Sequence, residues 1–249
     1  MDARRKDRAR SLALASSCAA FVAVPCLGAL LGRGEQTDRY DTVITPPDYA
    51  FAVWGPIFAS CATSTVGQCL PGGRGDPVSR RTGWPLAGAY AVNAAWSVAA
   101  QTDRFSLTPY LLPVATAFAA AAHGRVQRVS GASGWAAATP VSTGLLLGWT
   151  ALASVVNVAA GAVASGAPKS SPRNVAASTA ALIAASTAVS ASVVRSRRGG
   201  VPFALTAAWG LATTALSRGR PRAVRLAAAA GAIAVSACGG AACRQGNVT

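Results

Sequence analysis

An all-α fold, a polytopic transmembrane bundle of about eight spans, is predicted by three observations. The 249 residues are 52% hydrophobic and only 12% charged, with a mean hydropathy of +0.37. The charges are bunched, leaving long uncharged runs between them, and those runs are dominated by Ala, Gly, Ser and Thr. Such a pattern fits lipid-crossing helices far better than a globular domain of this length. A soluble reading would need eight core helices joined by arginine clusters, with hardly any amphipathic surface.

Taken in order, the chain starts with a basic stretch over 1–10, followed by an apolar run over 11–32. That run is too long for a signal peptide, and no clean small-x-small cleavage site closes it, so it reads as a retained first span. A transit peptide is the rival reading, and Asp2 and Asp7 count against it. Further candidate spans are 50–70, 84–101, 106–122, 133–164, 174–194, 201–217 and 223–241. Each is near the length needed to cross about 30 Å of hydrocarbon. The fifth is long enough to tilt or protrude, and 106–122 and 201–217 are the shortest. Small side chains let helix backbones approach closely in lipid, so a compact bundle is expected. The stretch Ser165-Gly-Ala-Pro-Lys-Ser-Ser-Pro-Arg173 is the most linker-like part of the chain. It divides five spans within 11–165 from three within 174–243, with 166–173 as the linker.

The net charge of +15 does not read as a nucleic-acid surface, because the basic residues fall between apolar runs rather than along one face. Arg4, Arg5, Lys6, Arg8 and Arg10, then Arg74, Arg80 and Arg81, then Arg125 and Arg128, then Arg195, Arg197 and Arg198 have the spacing of loops on one side of a membrane. Such loops stay on the positive side or touch anionic lipid, which puts the N-terminus on the cytoplasmic or equivalent side. The first loop, with Glu35, Asp38, Asp41 and Asp48 against Arg33 and Arg39, then lies on the far side. One loop breaks the rule: Arg218, Arg220, Arg222 and Arg225 fall on the far side if all eight spans are real. Earlier charges are expected to set the topology despite them. The six cysteines form no Cys-x-x-Cys pair and lie mostly in or beside apolar runs, which suits buried small residues better than a zinc site or disulfide framework.

Three local patterns carry more than composition. The first is Pro46-Pro47-Asp48-Tyr49-Ala50-Phe51, followed by Trp54-Gly55-Pro56, leading from an acidic loop into an apolar run. Prolines stiffen such an approach, and aromatics sit at headgroup depth. The second is Tyr90-Ala-Val-Asn93-Ala-Ala-Trp96 in the third span, with Asn93 and Trp96 one helical turn apart. The third is Gly148-Trp149, followed eight residues later by Asn157, in the fifth. An amide in lipid must find partners, so Asn93 and Asn157 either bind helices together or line a polar cavity. Trp54, Trp96 and Trp149 lie deep enough to pack the bundle or to wall a flat pocket, whereas Trp84 and Trp135, at span starts, read as interfacial anchors.

In this order and in these spans, the three patterns resemble the tryptophan-rich sensory protein / translocator protein family (TspO/MBR, peripheral benzodiazepine receptor-like). That family shows Pro-Pro-x-Trp-x-Phe leading into its second helix, Leu-Asn-x-x-Trp in its third, and a Trp with an Asn eight residues later in its fifth. The resemblance covers roughly residues 11–165, which would form a TspO/MBR-like five-helix core, with the three helices after 173 an addition to it. Here Tyr49 stands in place of the family's Trp, Val92 precedes Asn93 in place of Leu, and the Trp-Gly-Pro is shifted by about a residue. The resemblance implies a translocator or sensor protein that binds a hydrophobic planar ligand of the tetrapyrrole or sterol class. Its ligand-binding residues would be Pro46, Pro47, Tyr49, Phe51, Trp54, Asn93, Trp96, Trp149 and Asn157. In that reading the 35–49 loop is a lid stiffened by Pro46 and Pro47, the aromatics stack on the ligand, and the two asparagines fix orientation or helix geometry.

No cofactor is demanded by the residues; porphyrin or haem enters only as a ligand. His123, the single histidine, is a candidate axial haem donor or a solvated interfacial side chain. Expected partners are the lipid bilayer and a hydrophobic small molecule, with a homodimer left open. An enzyme is not expected, because no Asp or Glu follows Asp103 and none lies in a confident span, which leaves intramembrane proton chemistry without a carrier. A passive small-solute transporter or channel, and an assembly partner without ligand, are the alternative readings.

Overall fold

The structure, a computed structural model, describes residues 3–32, 40–102, 104–129 and 134–246. Glu35, Asp38, Arg33, Arg39 and Asp103 of the sequence reading lie outside the described residues. Among those described there are eight α-helices and no strand: α1 (Ala3–Leu30), α2 (Trp54–Cys69), α3 (Pro77–Ala100), α4 (Thr108–Val126), α5 (Ala138–Ala164), α6 (Pro172–Arg195), α7 (Gly200–Leu216) and α8 (Arg222–Gly246). A 3-10 turn, Asp48–Val53, runs directly into α2.

The helix starts follow from local chemistry. Asp76 caps α3 by accepting the Val78 N–H at 2.7 Å, and Ser171 caps α6 by accepting the Asn174 N–H at 3.2 Å. In both, a proline occupies the first turn, where no helical N–H is lost. α7 begins after Gly199, whose φ of +69° needs a residue without Cβ.

Six helices are long and apolar enough to cross a membrane: α1, α2 with its 3-10 turn, α4 with the turn before it, α5, α6 and α8. α7 is apolar but shorter, at 17 residues. α3 is long but less apolar, and burial explains why. Fifteen of its 24 residues are buried, so protein rather than lipid surrounds it. Large apolar side chains on the other helices, among them Leu30, Phe118, Val158, Ile183, Leu216 and Ile233, point outward, as a lipid-facing belt requires.

Helix packing closes a ring in the order α1–α2–α5–α4–α3, and α6 to α8 form a second layer against α5. The tightest seam between the two is α5 against α7. A Cβ at Gly148 would collide with Thr206 Oγ1 and the Phe203 carbonyl, and one at Gly144 with the Gly199 carbonyl. This small-xxx-small stripe brings the backbones close enough for Thr206 Oγ1 to donate to the Leu145 carbonyl at 2.9 Å.

The eight helices alternate in direction. One end gathers 7–10, 69–82, 125–129 and 195–198, joined by Arg80–Asp7 at 2.7 Å, Arg81 Nη1 to the Arg128 carbonyl at 3.0 Å and Gln127 Nε2 to the Arg198 carbonyl at 2.8 Å. The opposite end gathers 40–48, 101–107, 165–170 and 217–222. The arginine-bearing 218–225 loop therefore lies at the end away from the other basic clusters, as the eight-span count required. Its Arg220 is paired there with Asp41 at 2.7 Å.

Candidate functional site

Below the 40–46 loop lies an apolar cavity of about 90 Å³. Its walls come from the turn before α2 (Phe51), α2 (Trp54), α3 (Trp96, Ala100), α4 (Leu112), α5 (Trp149, Leu152, Ala153, Val156, Asn157, Ala160), α6 (Leu182) and α7 (Gly210, Leu211, Thr214), with Phe105 at the rim. Its roof is Tyr40, Ile44, Thr45 and Pro46.

The aromatic side chains lock one another in place. Trp149 meets Trp54 edge-on at 6.1 Å and Phe51 edge-on at 5.7 Å, and Trp54 stacks on Phe58 at 5.3 Å. Edge and offset contacts of this kind hold rings in fixed planes. The polar contact of the cavity joins two of the sequence patterns: Trp96 Nε1 donates to Asn157 Oδ1 at 2.8 Å. Asn157 Nδ2 donates in turn to the Ala153 carbonyl at 3.0 Å, which leaves its second N–H to serve a bound molecule.

The roof is a folded strap. Thr45 Oγ1 accepts from the Thr42 N–H at 2.9 Å and pairs with Thr42 Oγ1 at 2.9 Å, while the Ile44 N–H donates to Thr42 Oγ1 at 3.3 Å. Ile44 points inward and is buried, and Tyr40 stacks on Phe105 with ring centroids 3.6 Å apart. Asp41, beside it, receives both Arg220 and Lys169. Burial works against its ionised form, but the hydrogen bonds from Arg220 and Lys169 outweigh that and hold the carboxyl below its ordinary value.

Of the nine residues singled out in the sequence, Pro46, Phe51, Trp54, Trp96, Trp149 and Asn157 line the cavity. Three are elsewhere. Pro47 faces a polar vestibule outside the roof. Tyr49 is 56% exposed and touches the edge of Trp209 at 6.3 Å. Asn93 is buried with its Nδ2 on the Ala89 carbonyl of its own helix at 2.8 Å, and its Oδ1 has no hydrogen-bond partner. Sequence reasoning passed over the roof residues Tyr40, Ile44 and Thr45, the apolar wall of α4 and α5 such as Leu112 and Leu152, and everything that α6 and α7 contribute. A signal existed, since Trp209-Gly210 repeats in α7 the small-plus-indole pairing of Gly148-Trp149. Gly210 packs against Trp149 and Leu152, and Trp209 Nε1 donates to the Ala50 carbonyl at 2.8 Å, pinning the 3-10 turn.

His123 lies away from the cavity and is buried rather than solvated. Its Nδ1 meets Thr143 Oγ1 at 3.2 Å and its Nε2 meets Ser196 Oγ at 2.9 Å. Both ring nitrogens are thereby engaged in holding α4, α5 and the α6–α7 linker together. Trp84 and Trp135, by contrast, are exposed, as anchors at a membrane surface are. Among the described residues no three His, Cys, Asp or Glu side chains cluster as metal ligands would.

The ordered Pro-Pro-aromatic, Asn-x-x-Trp and Trp-x7-Asn patterns thus meet around one space inside a multi-helix membrane bundle, and the family match runs from residue 13 to residue 240. The chain belongs to the TSPO-like protein family. No curated protein and no solved structure matches it. The TSPO-like match begins within α1 and ends within α8, so it includes the three helices after residue 173. Family membership and the apolar helices together make this an integral, multi-pass membrane protein of TSPO type.

Proposed function

We propose that this TSPO-like protein is a membrane-embedded binding protein for a hydrophobic planar ligand, of the tetrapyrrole or sterol class, held without catalysis in the aromatic cavity. The observation that carries this reading is the convergence of Phe51, Trp54, Trp96 and Trp149 on one apolar space with a hydrogen-bonding amide, Asn157, at its wall. Flat apolar molecules are gripped by such walls through stacking, and a few polar atoms set their orientation. Asn157, Thr45 and Thr214 are the polar groups available for that purpose.

At about 90 Å³ the cavity is smaller than the roughly 300–1,000 Å³ of ordinary ligand sites. A ligand of this class needs more room than the cavity offers beneath its roof, so binding requires the roof to lift. Features below the cavity favour a site over a through-path. Gln68 Nε2 donates to Ser64 Oγ at 3.3 Å and Thr139 Oγ1 at 3.2 Å, and Thr82 Oγ1 donates to Gln68 Oε1 at 3.4 Å. All four side chains are buried, plugging the space between α2, α3 and α5.

The test is tryptophan quenching by protoporphyrin in detergent-purified protein. Saturable quenching is expected, weakened at least about 10-fold in the Trp96→Ala plus Trp149→Ala variant, since each lost stacking contact is worth roughly 0.5–1.5 kcal/mol beyond its buried area. Absence of saturable quenching by protoporphyrin and by a fluorescent sterol would overturn the reading.

A further inference from the structure

Among the described residues, the ionic contacts of the cavity roof converge on one carboxylate, Asp41. Arg220 Nη2 donates to Asp41 Oδ1 at 2.7 Å and Arg220 Nη1 to Asp41 Oδ2 at 2.8 Å, a two-pronged contact that fixes direction as well as distance. Lys169 Nζ also donates to Asp41 Oδ2. Arg220 Nη1 further donates to the Thr42 carbonyl at 2.6 Å, so the guanidinium grips backbone as well as side chain.

Neither cation belongs to the five-helix ring. Lys169 sits on the α5–α6 linker and Arg220 on the α7–α8 linker, while Asp41 sits on the strap between α1 and α2. The second helical layer thus reaches over the ring at two points to hold its roof. What lies on either side of that roof gives the contact its meaning. Outside is a polar vestibule of about 420 Å³, lined by Asp41, Asp48, Lys169, Ser217 and Arg220 among others. Inside is the aromatic cavity. Thr45 and Pro46 line both spaces, so the strap alone separates them. With the strap lifted, the two spaces join into one within the roughly 300–1,000 Å³ range of ligand sites. The three ionic side chains stay partly in contact with solvent, with 26% exposure for Asp41, 13% for Arg220 and 40% for Lys169, so water can replace their bonds when they part.

We propose that Asp41, Lys169 and Arg220 form an ionic latch by which the α5–α6 and α7–α8 linkers hold the cavity roof shut, so that breaking the latch speeds admission of an apolar ligand. The ligand half of this statement rests on the function proposed above; the mechanical half does not. Val43 and Ile44 also hold the roof by burial, and Tyr40 stacks on Phe105.

The experiment measures backbone hydrogen exchange over 42–45, together with the rate of protoporphyrin quenching, in the full-length protein in detergent. The wild type is compared with Asp41→Asn, Arg220→Ala, Lys169→Ala and Lys169→Arg. Exchange at 42–45 is expected to rise about 10-fold or more in Asp41→Asn and Arg220→Ala, by less in Lys169→Ala, and to stay near the wild-type rate in Lys169→Arg. Quenching should speed up in the same order. Lys169 lies at the rim and carries little packing, so its pair of variants gives a reading even if the others fail to fold. Unchanged exchange in Lys169→Ala and in every other folded variant would overturn the latch, whether or not protoporphyrin binds. Faster exchange with no saturable quenching in any protein would uphold the latch on the roof and sink the ligand reading alone.

Discussion

The two ends of the bundle are built on opposite plans. At the basic end, arginines close the structure many times over, mostly onto backbone carbonyls. Arg10 donates to the Arg74 carbonyl, Arg74 Nε to the Cys69 carbonyl at 2.7 Å, Arg125 Nη1 to the Arg81 carbonyl at 3.0 Å, and Arg198 to the Val129 carbonyl. Asp7 adds ion pairs to Arg10 at 2.6 Å and Arg80 at 2.7 Å. Among the described residues of the opposite end, one carboxylate, Asp41, takes both Lys169 and Arg220. Redundant contacts make a base that no single loss opens, and an acceptor shared by two cations makes an end that is easier to release. An aromatic cavity lies under the releasable end only, which is the arrangement a binding site with a fixed floor and a movable roof calls for.

The comparison can be broken or sharpened by substitution. The largest effect is expected at the α5–α7 seam, which serves both ends. Gly148→Val drives a branched side chain into the Phe203 carbonyl and Thr206, costing about 3 kcal/mol or more and abolishing a cooperative melt in detergent. Next is Asp41→Ala, which leaves two cations without their acceptor; charged hydrogen bonds are worth roughly 1.5–3 kcal/mol, and a lower midpoint in thermal unfolding is the readout. Trp96→Phe should cost about 1 kcal/mol, because Asn157 Oδ1 loses its donor within an apolar wall while the ring is largely retained. Smallest is Arg81→Ala at the basic end, expected within about 0.5 kcal/mol because neighbouring arginine contacts persist. A cost at Arg81 equal to that at Asp41 would erase the distinction between the ends.

Acid offers a test without mutation. The Asp41 carboxyl is held below its ordinary value, so it binds its proton less readily folded than unfolded. Its contribution is therefore complete above the ordinary carboxylate range near pH 4 and is lost as pH falls through the lowered folded value. Thermal midpoints measured downward from pH 6 should fall on the acid side, and Asp41→Asn should show a shallower fall over the same interval.

How much of this was legible in the residue order differs from part to part. The helix count was readable because length and hydropathy are local, although six of the eight helices are long and apolar enough to cross a membrane, α7 being short and α3 less apolar and buried by its neighbours. Six of the nine candidate residues, Pro46, Phe51, Trp54, Trp96, Trp149 and Asn157, line the cavity, because they belong to patterns whose spacing survives folding. Asn93 shares a pattern and a helix face with Trp96, yet it sits one turn away along α3, outside the cavity wall, with its Nδ2 on the Ala89 carbonyl of its own helix. Tyr49 lies two residues from Phe51 and faces outward because the 3-10 turn rotates neighbours by about 120° each, whereas Pro47 stands in extended backbone just before that turn, where successive side chains alternate in direction.

Local order alone settled the number of helices, their alternation and the residues able to stack or hydrogen-bond in lipid, because each depends on a short run of side chains meeting the bilayer. Which faces turn inward was settled only by packing. In lipid, inner and outer faces are both apolar, so periodicity loses the contrast that marks a buried face in water. The pairing of Asp41 with Arg220, 179 residues later, and the wall that α7 adds to the cavity rest on close approach between Gly144, Gly148 and a distant helix. No local pattern contains that partner, so the tertiary structure alone assigned it.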